Sequence, residues 1–176
     1  FASNGTLGEF LLSKDSQRRQ WQKLYGVALG LQYLQERGIM HGALKCDNIL
    51  IAASGNAKIG GFELQVTVNY VSLQTDPRWM APECVRSENA SSASDVYSLA
   101  MCVVEVVSGK DPWNKVASGR ARVPAAQQHP IPLVCYQYMN KQQLDLIVKM
   151  CALALGCGAH ISYVVQQLNV FAAQEK

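Results

Sequence analysis

The sequence predicts one mostly α-helical domain with a small β-hairpin inserted between two long helices. Three observations carry this. Trp21, Leu24, Ala28 and Leu31 recur at spacings of three and four, the period of a helix with one face in a core. Residues 96–107 are apolar almost throughout, interrupted by Glu105, as in a helix buried nearly all round. Between these two stretches, Ile49-Leu50-Ile51 and Lys58-Ile59 flank Ser54-Gly55-Asn56, two short strands around a turn.

Taken in order, Asn4-Gly5 is a turn signal and Thr6-x-x-Glu9 a capping box, in which each side chain satisfies a backbone N–H at a helix start. Leu7, Phe10 and Leu11 supply the apolar side of that short helix, and residues 14–19 read as a polar loop. The first long helix runs from about Gln17 to Arg37, with Gly38 at the position of a C-cap glycine. After the hairpin, residues 64–78 show no clear period. The second long helix has Asp95 at its start, where the helix dipole favours an acid, and Gly109 past its end. Residues 116–132, with three prolines and a glycine, read mainly as loop. Leu144, Ile147, Val148, Cys151 and Leu155 then mark an amphipathic helix, and Val164, Val165, Leu168 and Phe171 a final one. No repeat or low-complexity tract is visible.

A chain of 176 residues, 49% hydrophobic and 16% charged, is long and apolar enough to bury a core. Its formal charge of +3 is spread thinly, unlike a nucleic-acid-binding footprint, so no nucleic-acid partner is expected. The six cysteines show no C-x-x-C pair and read as free, mostly buried thiols in a reducing, cytoplasmic setting. Cys157 and His160 supply two ligands where zinc needs four, so no metal is assigned. No signal peptide is visible, and no apolar run reaches membrane-spanning length. A start at Phe1 rather than Met suits a piece of a longer protein.

The stretch His41-Gly42-Ala43-Leu44-Lys45-Cys46-Asp47-Asn48, followed by strand, turn, strand and Gly60-Gly61-Phe62, resembles the catalytic loop and metal-binding segment of the protein-kinase family, H-R-D-L-K-x-x-N and D-F-G. Arg78-Trp79-Met80-Ala81-Pro82-Glu83 resembles its A-P-E region. Asp95-Val96-Tyr97-Ser98 resembles the start of its central buried helix, and Ser108-Gly109-Lys110-Asp111-Pro112-Trp113 the turn after it. The opening residues 1–7 resemble the hinge. The likeness covers almost the whole chain and implies a truncated kinase-like domain over residues 1–176, a C-lobe without its N-lobe. Lys45 and the R-W-M-A-P-E wording are closer to serine/threonine and tyrosine-kinase-like kinases than to tyrosine kinases.

Within that resemblance the chemistry is depleted. Ala43 stands at the catalytic-base position and cannot accept a hydroxyl proton. Gly61 stands at the metal-binding aspartate and offers no side-chain oxygen. Lys45 and Asn48 remain, open to two readings: contacts to a nucleotide phosphate, or remnants on a solvated loop. The resemblance implies ATP and Mg²⁺ as cofactors, and neither is assigned, because these residues form half a site. His41 reads either as a base or as a structural brace against Phe62. Asp95 reads either as catalytic or as an acceptor for the backbone of the His41 loop, and in both cases the structural role is favoured. No arginine lies at residues 156–159 to pair with Glu83, so that carboxylate must find another partner or face solvent. Thr75, Ser91, Ser92 and Ser94 are candidate phosphorylation sites.

The expectation is a pseudokinase C-lobe that acts in signalling by binding a protein partner. The alternative is a fragment of an active ATP-dependent serine/threonine kinase. A third reading is a non-functional fragment with exposed apolar surface.

Overall fold

In the computed structural model, residues 4–11, 19–61, 76–85, 91–113, 131–132, 134–152 and 158–175 are described. Their helices are α1 (Leu7–Leu11), α2 (Gln20–Gln35), α3 (Pro82–Val85), α4 (Ser92–Ser108), α5 (Cys135–Tyr138), α6 (Lys141–Cys151) and α7 (Ile161–Gln174). A 3₁₀ turn, Cys46–Asn48, leads into the antiparallel hairpin of β1 (Ile49–Ile51) and β2 (Ala57–Ile59), with Ile49 opposite Ile59. Among the described residues the fold is therefore mostly helical with one two-stranded sheet, as the sequence predicts.

Helix α4 forms the axis of the core. Val96, Tyr97, Leu99 through Val104 and Val106 are all buried, and α2, α5 and α6 pack against it. It begins at Ser92, earlier than the apolar run, because Ser91 and Ser94 form a polar start: the Ser91 N–H donates to Ser94 Oγ at 3.1 Å. It ends at Gly109, whose φ of 65° is the left-handed cap conformation open to glycine without strain. Helix α1 starts with the reciprocal bonds expected of Thr6 and Glu9, at 2.8 and 3.1 Å. Its preceding turn is tied to the hairpin, with the Ile51 N–H donating to the Gly5 carbonyl at 2.9 Å.

Four details differ from the sequence expectation. Helix α2 starts at Gln20, and residues 14–18 of the expected loop lie outside the described residues. Helix α6 turns Leu146, Ile147 and Met150 inward and leaves Val148 exposed, because the interior lies a third of a turn from the expected stripe. Leu155 lies outside the described residues. In α7 the buried stripe is Ile161, Val164, Leu168 and Phe171, with Val165 at its edge. The short helix α5, tucked under α4 by the buried Cys135, carries too little periodic sequence to be foreseen. Cys46, Cys84, Cys102 and Cys135 are buried and Cys151 is half-buried, and none of the five forms a disulfide. Among the described residues no helix is long and apolar enough to cross a membrane. Most of the irregular stretches 64–78 and 116–132 lies outside the described residues.

Candidate functional site

The loop from His41 to Asn48 links α2 to the hairpin in sequence, and α4 holds its first residues. Asp95, in the first turn of α4, accepts the His41 N–H at 2.8 Å and the Gly42 N–H at 2.9 Å, one on each carboxylate oxygen. Gly42 sits at φ 74°, a backbone turn that brings these two successive N–H groups to one carboxylate. Burial pushes the Asp95 carboxyl up from its ordinary pKa, against the opposing pull of those two backbone bonds.

The buried His41 ring then stitches the loop to the end of the hairpin. Its Nδ1 accepts the Ala43 N–H at 3.2 Å, and its Nε2 lies 2.9 Å from the Gly60 carbonyl oxygen. A carbonyl can only accept, so Nε2 carries the proton and the ring faces two fixed backbone partners. Phe62, expected as the surface against which His41 is braced, lies outside the described residues; the ring bonds to Gly60 and Ala43.

Asn48 closes the loop. Its Nδ2 donates to the Ala43 carbonyl at 2.7 Å, and its own carbonyl accepts the Gly60 N–H at 2.8 Å. Next to it, Gly61 sits at φ 67°, and a Cβ built there would lie 2.5 Å from both Cγ and Oδ1 of Asn48. The Asn48 carboxamide thus fills the space that a side chain at position 61 would need. Ala43 is buried and presents only a methyl group.

Lys45 is compensated from within the chain. Its Nζ lies 3.6 Å from Asp47 Oδ2. Asp76 feels it as well: burial works against the Asp76 charge, but hydrogen bonds and charge from Arg78 outweigh this, Lys45 adds to them, and the carboxyl is held below its ordinary range. Arg78 bridges Asp76, at 2.6 Å from Nη2 to Oδ2, and Asp111.

These positions do not fit magnesium. Mg²⁺ takes near-octahedral oxygen coordination built on carboxylates and phosphates. At the two matched positions nearest the loop there is a methyl group and a hydrogen, and Asn48, whose Nδ2 is bonded to the Ala43 carbonyl, offers only its Oδ1. Among the described residues no cluster of three or more His, Cys, Asp or Glu could hold a metal ion.

Of the two outcomes expected for Glu83, another partner or solvent, the structure gives it a partner in α4. Ser94 Oγ donates to Glu83 Oε1 at 2.9 Å while accepting from Ser91. One hydroxyl therefore meets the half-buried carboxylate, and among the described residues no arginine pairs with it. Ser94 is itself buried, which removes it as an accessible phosphorylation site, whereas Ser91 and Ser92 are exposed and Thr75 lies outside the described residues.

Trp79 is fixed to α4 at both ends: its carbonyl accepts from Ser98 Oγ at 2.8 Å, and its Nε1 donates to Glu105 Oε2 at 3.0 Å. Burial pushes the Glu105 carboxyl up, with bonds from Cys46 and Trp79 opposing it. The same burial drives the Cys46 thiol well above its usual value. Glu105 thus joins the turn before Asn48 to the Trp79 segment, a role that sequence reasoning missed. The available signal was one acid inside an otherwise apolar run.

A family model for protein tyrosine and serine/threonine kinases matches residues 1–157. The chain is similar to a probable serine/threonine-protein kinase of Dictyostelium discoideum, 38% identical over 96 residues, covering 52% of this chain and 6% of that protein. It is similar to a mitogen-activated protein kinase kinase kinase of Cytospora mali, 37% identical over 114 residues, covering 58% of this chain and 6% of that protein. One from Arabidopsis thaliana is 36% identical over 96 residues, covering 51% of this chain and 14% of that protein. The chain therefore spans a small part of these relatives' length. With the loop, the hairpin, the Trp79 segment and α4 arranged in matching order, the chain belongs to the protein tyrosine and serine/threonine kinase family.

Proposed function

We propose that this kinase-family chain no longer transfers phosphate and acts in signalling as a pseudokinase, by binding a protein partner. The observation that carries the reading is the contact between Asn48 and Gly61. A Cβ at 61 would meet the Asn48 carboxamide at 2.5 Å, so the loop has settled around the missing aspartate. The methyl group of Ala43 adds to it: without a carboxylate there, a substrate hydroxyl has no base. Losing such groups typically costs several orders of magnitude in rate. We place the chain in the tyrosine-kinase-like group on Lys45 and the R-W-M-A-P-E wording. A cytoplasmic setting belongs to the same proposal and is supported by the free thiols.

A thermal melt with and without Mg-ATP, paired with a phosphoryl-transfer assay, tests it. The expected result is one cooperative transition that Mg-ATP leaves in place, since a ligand of the folded state alone would raise it. Phosphate transfer that disappears in Lys45→Ala would overturn the proposal in favour of an active serine/threonine kinase. The retained Lys45 and Asn48, and relatives named as kinases, are what favour that second reading.

A further inference from the structure

Helix α2 begins without a cap of its own. Arg19 enters it at φ 64°, in the left-handed region that costs a non-glycine residue energy, and its side chain caps nothing. The first N–H groups of any helix lack partners within the helix and gather partial positive charge. Here the partner comes from 154 residues away. Glu175, just past the end of α7, takes the Trp21 N–H on Oε1 at 3.2 Å and the Gln22 N–H on Oε2 at 3.1 Å.

Two side-chain contacts reinforce this closure. Trp21 meets Phe171 of α7 edge to face, with ring centroids 5.0 Å apart. Lys23 is buried, which pulls its pKa down, and Glu175 is the charge that pulls it back up. The Lys23 ammonium in turn lies 4.5 Å over the ring of Phe10 in α1. Helix α1 reaches the candidate site directly: a Cβ at Gly8 would lie 2.8 Å from Asp47 Oδ1. Glu175, the α2 start, Lys23, Phe10 and the Cys46–Asn48 turn therefore form one continuous chain of contacts.

We propose that the end of α7 is a clasp, in which Glu175 serves as the N-cap of α2 and, through Lys23 and Phe10, steadies α1 against the loop that carries Lys45 and Asn48. The clasp opens without unfolding the α4 core, because among the described residues the Glu175 carboxylate bonds the first turn of α2 and its backbone N–H bonds Ala172 in the last turn of α7, neither reaching α4. Its release loosens the loop at the Cys46–Asn48 turn, away from the His41 and Gly42 amides that Asp95 holds.

Hydrogen–deuterium exchange on the whole chain, compared with Glu175→Ala and Glu175→Gln, tests this. In Glu175→Ala the amides of Trp21 and Gln22 exchange about 2- to 30-fold faster, the range that loss of a helix N-cap brings. The peptide over residues 4–11 speeds up with them, while α4 and α6 keep their protection. Glu175→Gln, which retains a neutral acceptor, falls between the two. Unchanged exchange at Trp21 and Gln22 would overturn the clasp. So would a uniform acceleration that includes α4, or a Glu175→Ala chain that does not fold, since either makes Glu175 a part of global stability. Faster exchange at Trp21 with residues 4–11 unmoved would overturn the coupling to α1.

Discussion

The His41 loop and the Glu83 corner both depart from the kinase pattern, and they depart in opposite ways. The loop keeps its supports and has lost its reacting groups: Asp95 still takes two backbone N–H groups, while Ala43 and Gly61 replace acids. The corner keeps its acid without an arginine at residues 156–159, and Ser94 Oγ meets Glu83 at 2.9 Å. The difference teaches which charges a fold can lose. An acid whose role is to meet substrate or metal bonds no backbone, so its removal leaves no orphaned donor. An acid that answers buried N–H groups cannot go unless something replaces it, because unpaired buried polar groups are costly.

The largest expected effect is therefore at Asp95. Asp95→Ala strands the His41 and Gly42 N–H groups and lowers stability by about 3–5 kcal/mol, read from a denaturant melt. A loss under about 1 kcal/mol would erase the contrast between the two kinds of acid.

Gly61→Asp comes next. It places a side chain at φ 67°, against the Asn48 carboxamide, and is expected to cost about 1–3 kcal/mol. The double variant Ala43→Asp/Gly61→Asp should remain inactive in a phosphoryl-transfer assay, since Asn48 occupies the space. Recovered activity would show that the loop has not settled around the loss.

Ser94→Ala should cost about 1–2 kcal/mol, because it removes the Glu83 partner and part of the α4 start together. In a double-mutant cycle with Glu83→Gln, coupling near zero would mean that the corner is held by packing alone.

The pH dependence sharpens the comparison further. Burial raises the carboxyls of Asp95 and Glu105 above their unfolded values. Their stabilising contribution is then fully present below the unfolded values, about pH 4, and is lost as pH rises through the folded values. Glu105→Gln should remove its share of that loss, so stability against pH from 4 to 8 should fall less steeply than in the parent chain. Parallel curves for the two would rule out Glu105 as a source. The smallest effect belongs to Lys45→Ala: its partner Asp47 is largely exposed, and loss of the pair should change stability by no more than about 1 kcal/mol.

Much of this was legible in the residues. The period of Trp21, Leu24, Ala28 and Leu31 and the apolar run 96–107 located α2 and α4, because a helix that faces a core repeats its apolar residues at the helical period. Thr6 with Glu9 located α1, and Ser54-Gly55-Asn56 the hairpin. The loop's losses were legible too, since Ala43 and Gly61 are identities rather than geometries. Val148 was misjudged because one face of α6 reads equally well a third of a turn away, and only packing against α4 chooses between them.

By itself, then, the sequence determined the family, the order of helices and hairpin, and the absence of two carboxylates, all of which rest on local spacing and residue type. Only the tertiary structure decided that Ser94 meets Glu83, that Glu105 joins Trp79 to the Cys46 turn, and that Glu175 caps a helix 154 residues away. Those are pairings between distant parts of the chain. Hydrogen bonds act over about 3 Å, and sequence separation says nothing about which donors and acceptors folding brings within that reach.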